Sequence, residues 1–416
     1  METYLNHELP LIMHIDLNSC FASIEQQSRI CLRGRPMGVT NRISPNCCII
    51  AASIEAKAIG VKTGMGRRQA MKICPELIIV ETDPPKIYWA YKNLLKIMSE
   101  YSTNFQMKSI DEGLIDFHNQ LELIKDRNLQ DIGYEIKHKL KDKLGCWMRC
   151  NIGIGPNRFW AKTAANLHKP DGLDEVDYKN IEEILNNLKL TDLTGIAKKL
   201  ERRLLQNGIS SPLEFLSADQ KLLTQVFGSK VHAQHWYKRL RGFEVDDFNT
   251  NQCQVGRQFV LDKPSNNNNF LLSRLQYLSQ TTSMKLRSGG LEAHGVYVWG
   301  VLKDGGYWHC TNKYQVASDT DQEIFRRAQE LFLKRPKQTF RVIGITCYGL
   351  RKTQSQQLTF DQQKNNDRRL SHAIDEVNLR YGNFELTYAN ALIGKNVIKQ
   401  KIPFGSTKFL DLLISG

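Results

Sequence analysis

Residues 107–117 read MKSIDEGLIDF. Three carboxylates, Asp111, Glu112 and Asp116, fall within six positions of an apolar strand pattern. An unpaired buried charge is costly, and a divalent metal removes that cost. A hairpin turn, with Asp and Glu supplying turn chemistry, accounts for the same residues. This stretch alone leaves both readings open.

A second stretch bears on the choice. Residues 11–17, LIMHIDL, form a compact apolar run with one acid, Asp16. Asn18 and Ser19, both good N-cap residues, lead into CFASIEQQ, so a buried strand ends in a carboxylate and turns into a helix over 19–27. Two buried strands that each offer a carboxylate suit two-metal phosphoryl transfer. Hard cations such as Mg²⁺ take oxygen ligands. A pair of them about 3.5–4 Å apart holds the attacking and leaving oxygens of an in-line displacement.

The chain of 416 residues has room for more than one domain, and its 41% hydrophobic content supports a sizeable core. The net charge of +14 calls for a polyanionic partner. The excess is uneven: 34 Lys and Arg against 30 Asp and Glu in residues 1–250 (+4), but 23 against 13 in residues 251–416 (+10). A solvated basic surface is the alternative account of that bias. The 10 cysteines show no paired CxxC spacing, so no zinc site follows, and reduced cytosolic thiols are expected. No run approaches a membrane span, so no membrane partner is expected and the location reads as cytoplasmic.

Strand and helix patterns alternate through residue 168, with helices expected at 67–73, 86–101 and around 132–144. Asn157 is read as the cap of RFWAKTAANLH. The class is α+β, with one sheet carrying helices on one face. Residues 177–241 read as helical. A glycine turn at 192–197 precedes the basic helix 198–206, and 222–240 look like a weaker second copy. Such a turn points backbone N–H groups at a phosphate, although an ordinary αα-hairpin has the same look. Residues 242–251 read as a linker. The strand–helix–strand–strand–helix–strand order after it predicts a small split α/β unit.

IDLNSCFASIE, SIDEGLIDF, NIGIGPNRFWAKTAANLHKPDGL and the glycine-turn helix pair resemble, in order and rough spacing, the Y-family (DinB/UmuC-like) translesion DNA polymerases. The likeness spans roughly residues 11–351. With the tail RRLSHAIDEVNLRYG it is greatest to the UV-damage-repair branch of Gram-positive bacteria and prophages.

The resemblance implies a right-hand polymerase with a palm (11–20 and 81–168), fingers (21–80), a helical helix-hairpin-helix thumb (169–242), a C-terminal α/β little finger (254–352) and a tail (353–416). It implies lesion bypass in DNA repair and the SOS response, with primer–template DNA and dNTPs as partners. Two Mg²⁺ ions would be bound by Asp16, Asp111 and Glu112, with the Leu17 carbonyl on the nucleotide side. Ser19, Cys20, Phe21, Lys57 and Lys162 would contact the nucleotide, with Phe21 as a steric gate against ribose. Gly195, Ala197 and Lys198 would meet DNA. Gln356, Leu358 and Phe360 of QQLTF resemble a sliding-clamp peptide, with a polar tail carrying two chance hydrophobes as the alternative. Strand alternation sends Asp111 and Glu112 to opposite faces, so both reach the metals only if the hairpin bends there.

Two features depart from the family pattern. A Tyr–Arg pair, three apart, is usual on the fingers helix that holds the triphosphate. Here the pair is Ile54 and Lys57, which lose a hydroxyl and a bidentate fork. Ala197 replaces the usual second glycine of the thumb turn. The changes at Ile54 and Lys57 motivate an alternative, a non-catalytic DNA-binding or clamp-docking factor, while the three carboxylates and Phe21 argue for a polymerase. A metal-dependent nuclease is a third reading. It would need neither a sugar gate nor a triphosphate lysine.

Grip on DNA phosphates by a basic chain predicts that affinity for primer–template falls steeply as salt is raised from 50 to 200 mM. Anisotropy titrations check this, and a flat dependence would count against the grip.

Overall fold

In a computed structural model of the chain the described residues are 4–247, 252–353, 362–382 and 384–391. Gln356, Leu358 and Phe360 lie outside them. The described residues divide into two units, 4–247 and 252–391.

The apolar run that carries Asp16 is β1 (Ile12–Leu17). It leads through Ser19 into α1 (Cys20–Ser28). The expected capping does not occur. Ser19 sits in the left-handed region (φ 48°, ψ 39°) and its side chain caps nothing. The Asn18 side chain is used elsewhere: it donates to Asn151 Oδ1 (2.7 Å) and accepts from the Asp171 N–H (2.7 Å).

The next elements are β2 (Met37–Thr40), β3 (Ala51–Ala52), α2 (Ile54–Ala58), α3 (Arg67–Ile73) and β4 (Ile78–Glu81). Their three strands form a small sheet in the order β3-β2-β4. It has its own core of Ile49, Ala52, Ala56, Val61, Ala70, Cys74 and Leu77. The Ser53 hydroxyl caps α2 by accepting from the Ala56 N–H.

The chain continues through α4 (Pro84–Ser99), β5 (Phe105–Met107), β6 (Glu112–Asp116), α5 (Leu121–Ile124), α6 (Leu129–Leu144), β7 (Cys150–Gly155), α7 (Arg158–Leu167) and β8 (Leu173–Glu175). The second sheet has the order β5-β6-β1-β7-β8, with β1 central and antiparallel to both neighbours. The expectation of helices on one face fails. Gly113 and Gly133 show α4 and α6 on the Ile15–Ile152 face: a Cβ at 113 would strike Met98, and one at 133 would meet Leu173 and Ile152. On the other face α7 lies backbone to backbone against β7. A Cβ at Gly153 would come within 2.1 Å of the Ala161 carbonyl oxygen. The alternation of glycine along NIGIG makes that approach sterically open.

Asn157 caps α7, accepting from the Trp160 N–H (2.8 Å) and donating to the Arg239 and Phe243 carbonyls. It thereby ties α7 to the helical part: α8 (Ile181–Asn186), α9 (Lys198–Gln206), α10 (Pro212–Ser217), α11 (Gln220–Phe227) and α12 (Lys230–Leu240). Trp160, Phe215 and Trp236 share one core there.

The second unit holds β9 (Gln254–Ser265), α13 (Asn268–Ser288), β10 (Leu291–Leu302), β11 (Tyr307–Ser318), α14 (Asp321–Phe332), β12 (Phe340–Lys352) and α15 (Gln362–Tyr381). Its antiparallel sheet has the order β11-β10-β12-β9. Val296, Val298, Ile343, Ile345, Phe259 and residues of α13 and α14 form its core. Buried Arg287 fastens α15, donating to Asp375 (2.6 and 2.8 Å) and to Asp321 (2.9 Å).

Gly153→Ala should lower the stability of the first unit by about 3 kcal/mol, because the methyl has only helix backbone to displace. Urea unfolding of Gly153→Ala beside a surface control such as Gly208→Ala, where space is open but the left-handed backbone costs something, measures the difference.

Candidate active site

Pairing of β1 with β6 sets Asp16 directly opposite Glu112, and pairing with β7 sets it opposite Asn151. All three, with His14, are on the α7 face. Asp111 comes just before β6, in a bend where the N–H groups of Lys108 and Ser109 both point at the Glu112 carbonyl (2.9 and 3.1 Å) and the Leu17 N–H donates to the Asp111 carbonyl (2.9 Å). The hairpin therefore bends where strict alternation would have separated the two acids.

Asp16, Leu17, Asn18, Ser19, Cys20, Phe21 and Asp111 line one wall of a cleft of about 610 Å³. The facing wall carries Ile50, Ala51, Ala52, Ile54, Lys57, Ala58 and Thr63, and Lys169 and Pro170 also line the cleft. Glu112 and Lys162 stand outside the lining. Gly195, Ala197 and Lys198 are elsewhere in the unit, at the start of α9. Gly195 is left-handed (φ 95°), while Ala197 has φ −101°, which any residue adopts, so the missing second glycine costs no backbone strain.

Each carboxylate has a different environment. Asp16 is ion-paired with Lys169. Glu112 accepts twice from Lys162 Nζ (3.1 and 2.8 Å), and His14 Nε2 is 3.4 Å away. Burial pushes the Glu112 carboxyl up, but His14 and Lys162 outweigh it and hold it at about 2. The Asp111 carboxylate accepts from the Ser109 hydroxyl (2.5 Å), and among the described residues no cation pairs with it. Burial, reinforced by the negative charges of Asp16 and Glu112, holds it above the usual carboxylate range despite that hydroxyl. Lys57 faces the same cleft. Burial, and then the charge of Lys169, pull its ammonium below the ordinary lysine range, against the attraction of Asp16 and Asp111.

Asp116 is not part of this cluster. It pairs with His118 (2.7 Å) and lies 3.8 Å from Arg158. Lys169 was not anticipated, although it lies inside the motif HKPDG. Its placement is long-range: Asn151 Nδ2 donates to the His168 carbonyl (3.1 Å), Asn18 takes the Asp171 N–H, and buried Lys137 bonds Asp171 Oδ1 (2.7 Å). The loop is fastened on both sides of Lys169.

The donor set is oxygen-only, which suits a hard divalent cation. Asp111 is half-buried and has no cation partner among the described residues, while ammonium groups are already ion-paired to its two acidic neighbours. No three His, Cys, Asp or Glu side chains among the described residues converge on one point. Both oxygens of Glu112 are engaged by Lys162.

Residues 15–166, which span this cluster from Asp16 to Lys162, match the model of the impB/mucB/samB family, and residues 252–360 match the model of that family's C-terminal domain. The chain belongs to the impB/mucB/samB family. Among its relatives is a DNA polymerase IV of Pelotomaculum thermopropionicum, 28% identical over 94% of this chain and 97% of the relative. DNA polymerase IV 1 of Bacillus subtilis is 26% identical over 94% and 95%. Among solved structures, a Y-family DNA polymerase chimera superimposes with TM-score 0.70 (21% identity, 82% of this chain, 99% of the other). DinB from Sulfolobus solfataricus gives 0.54 (21%, 81% and 98%). These structures establish the polymerase-like architecture with a C-terminal sheet domain. No helix among the described residues is long and apolar enough to cross a membrane.

Because Asp111 is half-buried beside like charges, Asp111→Asn should raise the melting temperature of the metal-free protein at pH 7 by about 2–4 °C. The gain should shrink toward acid pH, where the wild-type group takes up its own proton. Wild type should gain stability on adding Mn²⁺ and the variant should not. Differential scanning calorimetry in EDTA and in Mn²⁺ reads both.

Proposed function

We propose that the chain is a template-directed DNA polymerase of the Y family that extends primers past damaged bases. The observation that carries this is the gathering of Asp16, Asp111, Phe21, Lys57 and Lys169 in one cleft from separate elements. The larger sheet corresponds to the palm, the small sheet with α2 and α3 to the fingers, α8 to α12 to the thumb, and the second unit to the little finger.

Asp16 and Asp111, with Glu112 once it exchanges Lys162, would hold two Mg²⁺ ions, and the Leu17 carbonyl would serve the nucleotide side. Bound there, the metals supply an activated primer 3′-oxygen and neutralise the pyrophosphate leaving group. The chain's own residues position and exclude. Phe21, buried in α1 and lining the cleft, leaves room for a deoxyribose and bars a 2′-hydroxyl. Ser19 and Cys20 border the same nucleotide. Lys57 and Lys169 face the triphosphate as point charges, a task for which Lys162, committed to Glu112, is less available. Ile54 puts an apolar side chain where the family has a hydroxyl. Primer–template DNA would meet Gly195, Ala197 and Lys198 through phosphates, without sequence readout. The QQLTF segment remains a candidate clamp peptide.

The non-catalytic reading rests on Ile54 and Lys57 alone, and the intact carboxylate cluster weighs against it.

Primer extension with Mg²⁺ and four dNTPs should proceed with wild type and be abolished in Asp111→Ala/Glu112→Ala. In the same assay Phe21→Ala should accept rNTPs. Intact DNA binding without any extension by wild type would overturn the polymerase reading.

A further inference from the structure

The proposed chemistry gives His14 no task. β1 is otherwise apolar up to Asp16, and an imidazole buried in such a strand is costly unless its nitrogens find partners. His14 is only 3% exposed. Its register partners are Leu114 on β6 and Gly153 on β7, so its backbone is held on both sides within the sheet. Its ring shares a face with Asp16 and Glu112. Among the described residues Nε2 has no hydrogen bond of ordinary geometry. The carboxylate within reach of it is Glu112, with Oε2 at 3.4 Å. That contact is about 0.5 Å longer than an ordinary N–H···O bond.

The other donor on Glu112 is of a different kind. Lys162 Nζ reaches both carboxylate oxygens, but its side chain is 36% exposed and it carries a full positive charge. An ammonium so placed repels a divalent cation that approaches the same oxygens. Lys169 stands in the same relation to Asp16, with a side chain 39% exposed.

His14 differs on both counts. Its side chain is 4% exposed, so it has no solvent to withdraw into. A neutral imidazole with its hydrogen on Nε2 donates without adding charge, and a carboxylate has lone pairs enough for an N–H and a metal together. Asp111 already has a partner of this neutral kind in the Ser109 hydroxyl. Carboxylates that ligate metals are held by such donors behind them, and loss of the donor weakens the metal.

We infer that His14 is a positioning residue for metal binding: once Lys162 leaves Glu112, the buried imidazole keeps hold of the carboxylate and aims its free lone pairs at the cation. The inference deepens the two-metal reading and rests on Glu112 being a ligand.

The test reads Mn²⁺ binding to the full chain, without nucleotide or DNA, from the EPR signal of free Mn²⁺. Glu112→Gln marks the part of the binding that depends on this carboxylate. His14→Leu should weaken that part about tenfold or more. His14→Asn, whose amide falls short of the Nε2 position, should do the same, and it stands in if the leucine variant folds poorly. His14→Gln, whose amide nitrogen reaches the Nε2 position, should stay within about threefold of wild type. Lys162→Ala should bind Mn²⁺ more tightly than wild type, because a competing charge is gone. Melting curves in EDTA check that each variant is folded. Tighter binding in His14→Leu would make the imidazole a mere counter-charge and overturn the inference. Unchanged affinity in His14→Leu and His14→Asn, or a loss in His14→Gln equal to theirs, would overturn it too. All of these results leave Glu112 as a ligand. Absence of any Glu112-dependent Mn²⁺ binding in wild type overturns the metal reading itself, and the role of His14 with it.

Discussion

Everything at the active site follows from one electrostatic constraint. The antiparallel pairing of β1 and β6 brings Asp16 against Glu112, and the bend before β6 adds Asp111 to the same neighbourhood. Three like charges partly removed from water repel one another unless cations intervene. The fold meets this in a graded way. Lys162 and Lys169 neutralise two of the acids, and Asp111 is left with a single hydroxyl. The position with the least compensation is the one with the most to gain from a metal.

The constraint explains why the surrounding elements are held so firmly. Lys162 reaches Glu112 because α7 sits directly on β7, which requires Gly153 and Gly155. Lys169 reaches Asp16 because Asn18, Asn151 and Lys137 anchor the loop around it. Neither lysine would be placed by its local sequence alone. The departures at Ile54 and Lys57 fall on the opposite wall, which is built from small and apolar side chains and carries Lys57 as its one charge.

Much of this was legible in the sequence where the signal was local. The helix ends at Arg67–Ile73 and Lys198–Gln206, and the Asn157 cap, follow from periodicity and capping chemistry. The carboxylates announced themselves as acids in apolar strands. What was not legible depended on distant partners. Ser19 looks like a cap, but its backbone turns left-handed while Asn18 is drawn to Asn151, 133 residues away. Helices on both faces of the larger sheet depend on which way Gly153 faces, which periodicity does not reveal. β11 alternates aromatic and polar residues outward with Trp308 and Cys310 inward, a pattern too weakly apolar to give bounds.

The ammonium groups of Lys162 and Lys169 also bear on the order of assembly. In a protein whose ligands are held together only by the ion, the chain must wait for metal before it can settle. Here two of the three acids bring their own counter-charges, so the chain can reach its native state straight after synthesis in metal-poor surroundings. Under the proposed two-metal reading, loading would be a late, local exchange of one cation for another. Chelation would silence such a protein without unfolding it, and resupply would revive it with no return through the unfolded chain.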